Sequence, residues 1–142
     1  MKKMTNEEYL NFISEGTRTG KLATVNKDGS PHVVPVWFLV DGENIVFSTG
    51  LGSVKYKNME RDPRVCLSVD EEKGLYSFVK IDGTVSFSTD ENDRLIWATK
   101  IGARYMGKKN AEAYGKRNSG PDEVVVTIKP HRVLALADVA GW

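Results

Sequence analysis

Phe47-Ser48-Thr49-Gly50-Leu51-Gly52-Ser53-Val54-Lys55-Tyr56-Lys57-Asn58 is the stretch on which the reading of this chain turns. It starts as a β-rich strand, loses its regular backbone at two glycines, and restarts at Ser53, a residue type that caps helices well. The first N–H groups of a helix lack acceptors, and the helix dipole places positive potential there. An anion binds readily at such a junction. Ser53 adds a hydroxyl donor, and Lys55 adds a full positive charge two residues later. The stretch predicts a phosphate cradle. An ordinary capped helix with solvated lysines has the same spacing, so the flanking chain has to decide.

Upstream lies Pro31-His32-Val33-Val34-Pro35-Val36-Trp37-Phe38. Proline donates no ladder hydrogen bond, so Pro35 predicts an edge, a bulge or an opening in a sheet. An opening beside the anion site leaves the backbone of Pro35, Val36 and Trp37 free to meet a planar ligand. Further out, Thr5-Asn6-Glu7-Glu8 has capping-box spacing. The apolar stripe Tyr9, Leu10, Phe12 and Ile13 then predicts a helix over about residues 5–15, stopped by Gly16. Strands are expected over 21–25, 32–40 and 44–49. Turns at Lys27-Asp28-Gly29 and Asp41-Gly42 would join them as an antiparallel meander. A short helix follows from Ser53 to about Arg61 and stops before Pro63.

Beyond it, strands are expected over 64–69 and 75–88, with Gly83 a bulge or bend. Two more run over 123–129 and 133–138, kinked apart at Pro130. Residues 89–116 read as helical. Leu95, Ala98, Ile101, Gly102 and Tyr105 share one face, Gly107 interrupts, and a second short helix covers 111–116. Six to seven antiparallel strands with peripheral helices predict a mainly β protein, a closed or split barrel. One domain over residues 1–142 is expected.

The chain has 142 residues and a formal net charge of +1. A domain of that size buries roughly 70% of its unfolded surface, enough for a core. Near-neutral charge gives no global pull toward nucleic acid or an anionic membrane. Met1-Lys2-Lys3-Met4 leads into polar residues rather than an apolar leader core. No stretch approaches the roughly 18 apolar residues of a span. A cytoplasmic protein without membrane or nucleic-acid partners is therefore expected. The single cysteine, Cys66, lies in the apolar run Val65-Cys66-Leu67 and is read as a buried structural thiol. His32 and His131 lack metal-ligand spacing, so no metal is expected, and His32 is read as a packing residue. No nucleophile–histidine constellation is visible, which leaves the catalytic residues unassigned. Trp37, Trp97, Tyr105 and Trp142 either line an aromatic pocket or fill the core.

Gly29-Ser30-Pro31-His32 to Phe38, Phe47 to Lys55, and Asn58 to Val69 with its Asp62-Pro63-Arg64-Val65 together resemble the pyridoxamine 5'-phosphate oxidase-like split-barrel superfamily. The likeness is good over about residues 17–89 and looser elsewhere. It implies a six-stranded split barrel, a homodimer, and an FMN-like cofactor held between subunits. Val54 stands where those oxidases carry a basic residue, and Val33 and Val34 stand where they carry an arginine. The segment that grips pyridoxal phosphate is not found before Trp142. Oxidation of pyridoxamine phosphate is therefore not expected.

The run Val33 to Phe38 is instead similar to the branch that binds the deazaflavin coenzyme F420, which carries a phosphodiester and a polyglutamate tail. The resemblance implies cofactor binding by Pro35, Val36, Trp37, Ser48, Thr49, Gly50, Ser53, Lys55 and Asn58, the last as a support of the loop. It implies a reductase that passes a hydride to a small molecule with an activated double bond or a quinone-like group. Tyr105 or solvent is left to supply a proton. An FMN-dependent reductase or oxidase stays open, as does a non-catalytic carrier of a flavin or porphyrin-like molecule. The basic run Lys100, Arg104, Lys108, Lys109, Lys116 and Arg117 either attracts an anionic tail or is a solvated helix face.

Overall fold

The computed structural model describes residues 1–141. In chain order it contains β1 (Lys2–Lys3), α1 (Asn6–Ser14), β2 (Gly20–Val25), β3 (Pro31–Val36), β4 (Leu39–Asp41) and β5 (Asn44–Gly50). Then come α2 (Val54–Arg61), β6 (Arg64–Asp70), β7 (Phe78–Ser88), α3 (Glu91–Met106), a 3-10 turn (Lys108–Asn110), α4 (Ala111–Arg117) and β8 (Glu123–Ala137). The expected capping box is present: the Glu8 N–H donates to Thr5 Oγ1 at 3.1 Å, and the Thr5 N–H donates to Glu8 Oε1 at 3.0 Å.

All strands belong to one antiparallel sheet in the order β3-β2-β6-β7-β8-β5-β4, with β1 added against β8. The path begins at β3 and ends at β4. Those two strands are consecutive in the chain, with only Trp37 and Phe38 between them. The sheet is therefore rolled until its edges lie one dipeptide apart, yet the edges do not pair. That is a barrel with a split, and the split runs through Trp37-Phe38.

Period-2 alternation fills its interior. Leu22 of β2, Ile45 and Phe47 of β5, Leu67 and Val69 of β6, Val79 and Ile81 of β7, and Val124, Val126 and Ile128 of β8 are all buried in one cluster. Helix α1 adds Tyr9, Phe12 and Ile13, and α2 adds Met59. Each such side chain contributes roughly 1.5–3 kcal/mol by leaving water. The packing is close: a Cβ built on Gly20 would lie 2.6 Å from Leu67 Cδ1.

Five expectations are corrected. Residues 32–40 are not one strand but β3 and β4, because the chain leaves the sheet at the split. The meander fails for the same reason: β2–β3 and β4–β5 are hairpins, but β3 and β5 lie on opposite sides of the sheet path. Residues 75–77 precede β7 as a turn, with positive φ at Gly74 and Tyr76. The two final strands are a single β8, which absorbs Pro130 through a register shift opposite Asp82 and Gly83. Pro130 keeps a register partner in Gly83, and the residue left over by the shift is its neighbour His131. Leu95 also departs from its expected face and is 46% exposed, while Ala98, Ile101 and Gly102 are buried.

Candidate cofactor site

The split is patched from α3. The Phe38 N–H donates to Tyr105 Oη at 3.1 Å, and Tyr105 Oη donates to the Arg18 carbonyl at 2.8 Å. The Arg104 guanidinium donates to the carbonyls of Phe38 (2.7 Å), Ile13 (2.8 Å) and Gly16 (3.0 Å). The N–H and carbonyl of Phe38, which lie in no strand pair, and the carbonyls at and after the end of α1 are thus satisfied by two side chains. Burial pushes the Tyr105 hydroxyl above the ordinary tyrosine range and the Arg104 guanidinium below its own. The Tyr105 ring also stacks on Trp37, with centroids 5.1 Å apart and planes 3° from parallel. Tyr114 of α4 meets the same indole at 6.1 Å, tilted by 55°.

Trp37 forms one wall of a cavity of about 320 Å³. Pro35, Val36, Ser48, Thr49, Gly50, Lys55, Ala98, Ile101, Asn118 and Glu123 complete the lining. Seven of the nine residues expected at a cofactor site are therefore brought together, from β3, the split, β5 and α2. Pro35 lies on an edge strand, as its missing N–H requires. Ser48 Oγ is buried without a hydrogen-bond partner, a state that costs about 1–3 kcal/mol unless something fills it. Burial lowers the affinity of the Lys55 ammonium for its proton, and nearby Glu123 partly restores it. These are features that fit an anion-bearing polar ligand: a cation without full solvation, an unspent hydroxyl, and backbone outside the ladder.

Two expected residues lie outside the lining. Ser53 caps α2, its Oγ accepting from the Tyr56 N–H at 3.2 Å and lying 3.1 Å from Thr49 Oγ1. Asn58 is placed as a support rather than in the lining: its amide faces inward. Nδ2 donates to Thr24 Oγ1 (3.1 Å) and Asn26 Oδ1 (2.9 Å), and Oδ1 accepts from Arg61 (3.3 Å). It ties α2 to β2, with both amide N–H groups spent on that tie.

Glu123, Asn118, Ala98 and Ile101 were missed. The Gly50–Glu123 pairing of β5 and β8 brings Glu123 to the junction, and no short-range pattern reports a partner that far away in sequence. Tyr105 is withdrawn as a proton donor, because its hydroxyl is spent on the split. Trp97 stands apart with the Lys100 ammonium 4.9 Å over its ring, and Trp142 lies outside the described residues. In the basic run, Arg104 is consumed by carbonyls, while Lys100, Lys108, Lys109, Lys116 and Arg117 are exposed. Cys66 is half-buried, and burial raises its thiol pKa. A larger open cleft of about 880 Å³ lies along residues 15–18 and 70–74. It holds none of the expected residues, and Arg18 there is already paired with Glu15 (2.9 Å) and Glu71 (3.3 Å).

A rolled antiparallel sheet, split at a dipeptide and carrying a strand-to-helix junction beside the split, defines a split-barrel fold. The chain belongs to the pyridoxamine 5'-phosphate oxidase family, whose model matches residues 5–137. It is 30% identical over 137 residues to the F420H(2)-dependent biliverdin reductase of Mycobacterium tuberculosis (strain CDC 1551 / Oshkosh), covering 94% of this chain and 89% of that protein. The conserved hypothetical protein Rv2991 from Mycobacterium tuberculosis shares the fold, with TM-score 0.83 at 24% identity over 95% of this chain and 86% of that one. An F420 reductase superposes with TM-score 0.68 at 26% identity over 87% of this chain and 94% of its own. The heme storage protein HutZ from Vibrio cholerae has the same fold, with TM-score 0.71 at 20% identity over 96% and 99% of the two chains. Among the described residues no helix is long and apolar enough to cross a membrane.

Proposed function

We propose that this chain is a coenzyme F420-dependent reductase acting on a small molecule with an electron-poor double bond or a quinone-like group. The observation that carries the reading is the cavity at the split, where released backbone, an unpartnered hydroxyl and a half-buried ammonium converge. Its similarity to an F420H(2)-dependent reductase favours the deazaflavin over FMN, and that relative makes linear tetrapyrroles the first acceptors to try. When bound, the reduced deazaflavin supplies the hydride.

The chain supplies placement. Lys55 and the first N–H groups of α2 hold the phosphate, with Ser53 fixing the start of that helix. Ser48, Thr49 and Gly50 meet the ligand from β5. Pro35, Val36 and Trp37 form a flat wall, kept in plane by Tyr105. Ala98 and Ile101 exclude water from one side. A homodimer in which the second copy covers the open side of the cavity belongs to this reading.

The test is titration of the purified protein with F420 and with FMN, followed by ligand fluorescence, then turnover against an acceptor panel that includes biliverdin and a quinone. Saturable F420 binding with turnover is expected. Replacing Lys55 by alanine should weaken binding about tenfold or more, since a hydrogen bond to a charged group is worth ~1.5–3 kcal/mol. Binding of FMN with none of the deazaflavin would reassign the cofactor. Binding without turnover on any acceptor would make the chain a carrier.

A further inference from the structure

Lys55 and Glu123 are the two titratable groups that line the cavity. With both ionised, their formal charges cancel, so the carboxylate offsets part of the attraction that Lys55 and the start of α2 offer an anion. The two are not joined in a direct ion pair among the described residues. Backbone contacts hold Glu123 there. It pairs in register with Gly50, its N–H donates to the Gly120 carbonyl at 3.0 Å, and the Leu51 N–H donates to the Asp122 carbonyl at 2.8 Å. The backbone thereby places Glu123 in the cavity wall beside the junction where an anionic ligand would arrive.

We infer that Glu123 sets the cavity's selectivity for anions: its carboxylate competes with the ligand's phosphate for Lys55, and tight binding requires the carboxyl to take up a proton. The inference rests on the reading of this cavity as the site of a phosphate-bearing cofactor. The groups facing Glu123 support it. Helix α2 presents Lys55, and the preceding residue is Asp122. Strand β5 presents Gly50, α3 presents Ala98 and Ile101, and the loop before β8 presents Asn118, none of them titratable. Burial already raises the carboxyl's proton affinity, Asp122 adds to the rise, and Lys55 alone opposes it. A phosphate taking Lys55 removes that opposition and adds a like charge, so the bound state holds the proton more tightly than the free state.

The sign follows from linkage. Below the free-state pKa of Glu123 the carboxyl is neutral with or without ligand, and affinity is at its ceiling. As pH rises toward the bound-state pKa, the free protein ionises first and affinity falls. F420 is the cleaner probe, because its phosphodiester does not titrate in this range, whereas a phosphomonoester such as that of FMN has a second pKa of about 6.

The experiment measures the F420 dissociation constant from about pH 5 to about pH 8 for the wild type, Glu123→Gln and Glu123→Ala, with proton uptake read by calorimetry in buffers of different ionisation enthalpy. Thermal melts check folding, and the alanine variant serves if the glutamine variant melts early. The expected result is wild-type affinity that drops across the range with proton uptake, and a variant that binds about tenfold tighter than wild type at the upper end, equivalent to ~1.4 kcal/mol. Parallel pH profiles without proton uptake overturn the inference and leave the cofactor reading standing. No binding of F420 or FMN at any pH overturns both.

Discussion

Ser48 Oγ is buried in the cavity wall with nothing to bond. Deleting a buried hydroxyl that lacks a partner is close to neutral or stabilising, whereas deleting one that has a partner is not. Ser48→Ala should therefore leave the unliganded protein's melting temperature unchanged or raise it by a few degrees. The same change should weaken cofactor binding about fivefold, in keeping with ~1 kcal/mol for one hydrogen bond. A loss of stability without loss of affinity would show that the hydroxyl serves the fold instead. Asn58 predicts the opposite split. Its amide is 2% exposed and bonded to Thr24, Asn26 and Arg61. Asn58→Ala strands Thr24, itself 3% exposed, and should cost about 1–3 kcal/mol in denaturant unfolding. The sequence shows residue type but not side-chain direction, so the partners of Asn58 are not legible in it. Ser53, Lys55 and Gly50 were legible because capping, charge and backbone release are local properties.

Helix α3 carries the largest element-level surprise. Its apolar face was legible from Ala98, Ile101 and Gly102, but its last turn does a different job, closing the barrel split through Arg104 and Tyr105. Hydrogen bonds that cross some 66 to 91 residues of chain leave no periodic trace. The break at Trp37-Phe38 was likewise invisible, because Leu39 and Val40 continue the β-rich composition. Pro35 alone signalled an edge. Tyr105→Phe keeps the ring on Trp37 but leaves the Phe38 N–H and the Arg18 carbonyl without Oη. It should cost about 1–3 kcal/mol. The pH dependence has a definite sign. Burial raises the folded-state pKa of Tyr105 above the ordinary tyrosine value. Its contribution is thus complete below the unfolded-state pKa of about 10 and is lost as pH rises through the folded-state value. Urea unfolding of wild type and Tyr105→Phe between neutrality and high pH should converge at the alkaline end. A constant gap would show that the hydroxyl's contribution is not linked to its ionisation. Helix α4 sits on α3 through Gly102 and Gly115. A Cβ on Gly102 would lie 2.6 Å from Tyr114 Cβ, and one on Gly115 would collide with Thr99. Gly115→Ala should separate the helices and cost about 1–3 kcal/mol as overpacking does, with Trp37 emission shifting as Tyr114 moves away.

At the scale of the whole molecule, alternation and turn residues were enough to indicate an antiparallel barrel, because burying one face of each strand is a local constraint. The strand order was not, since it depends on which of several apolar faces meet across the interior. The molecular surface carries a further consequence. Ligand pockets commonly measure about 300–1,000 Å³ and enclose most of their ligand. At about 320 Å³ this cavity is at the low end for a tricyclic ring with a phosphate arm, so part of such a ligand would project from a single copy. Near it, Val33 on edge strand β3 is 62% exposed and Val54 at the start of α2 is 53% exposed. Natural edge strands are usually guarded by charge or cover, and Val33 supplies no charge. A second copy of the chain laid over this side would cover both valines and enclose the ligand. Sedimentation should therefore give a mass twice the 15.8 kDa of one chain, and F420 should bind once per chain. Val33→Glu, which puts a charge on the edge, should lower the mass to that of a monomer and weaken F420 binding in the same concentration range. A variant that sediments as a monomer yet binds F420 as tightly as the wild type would show that one copy encloses the cofactor unaided.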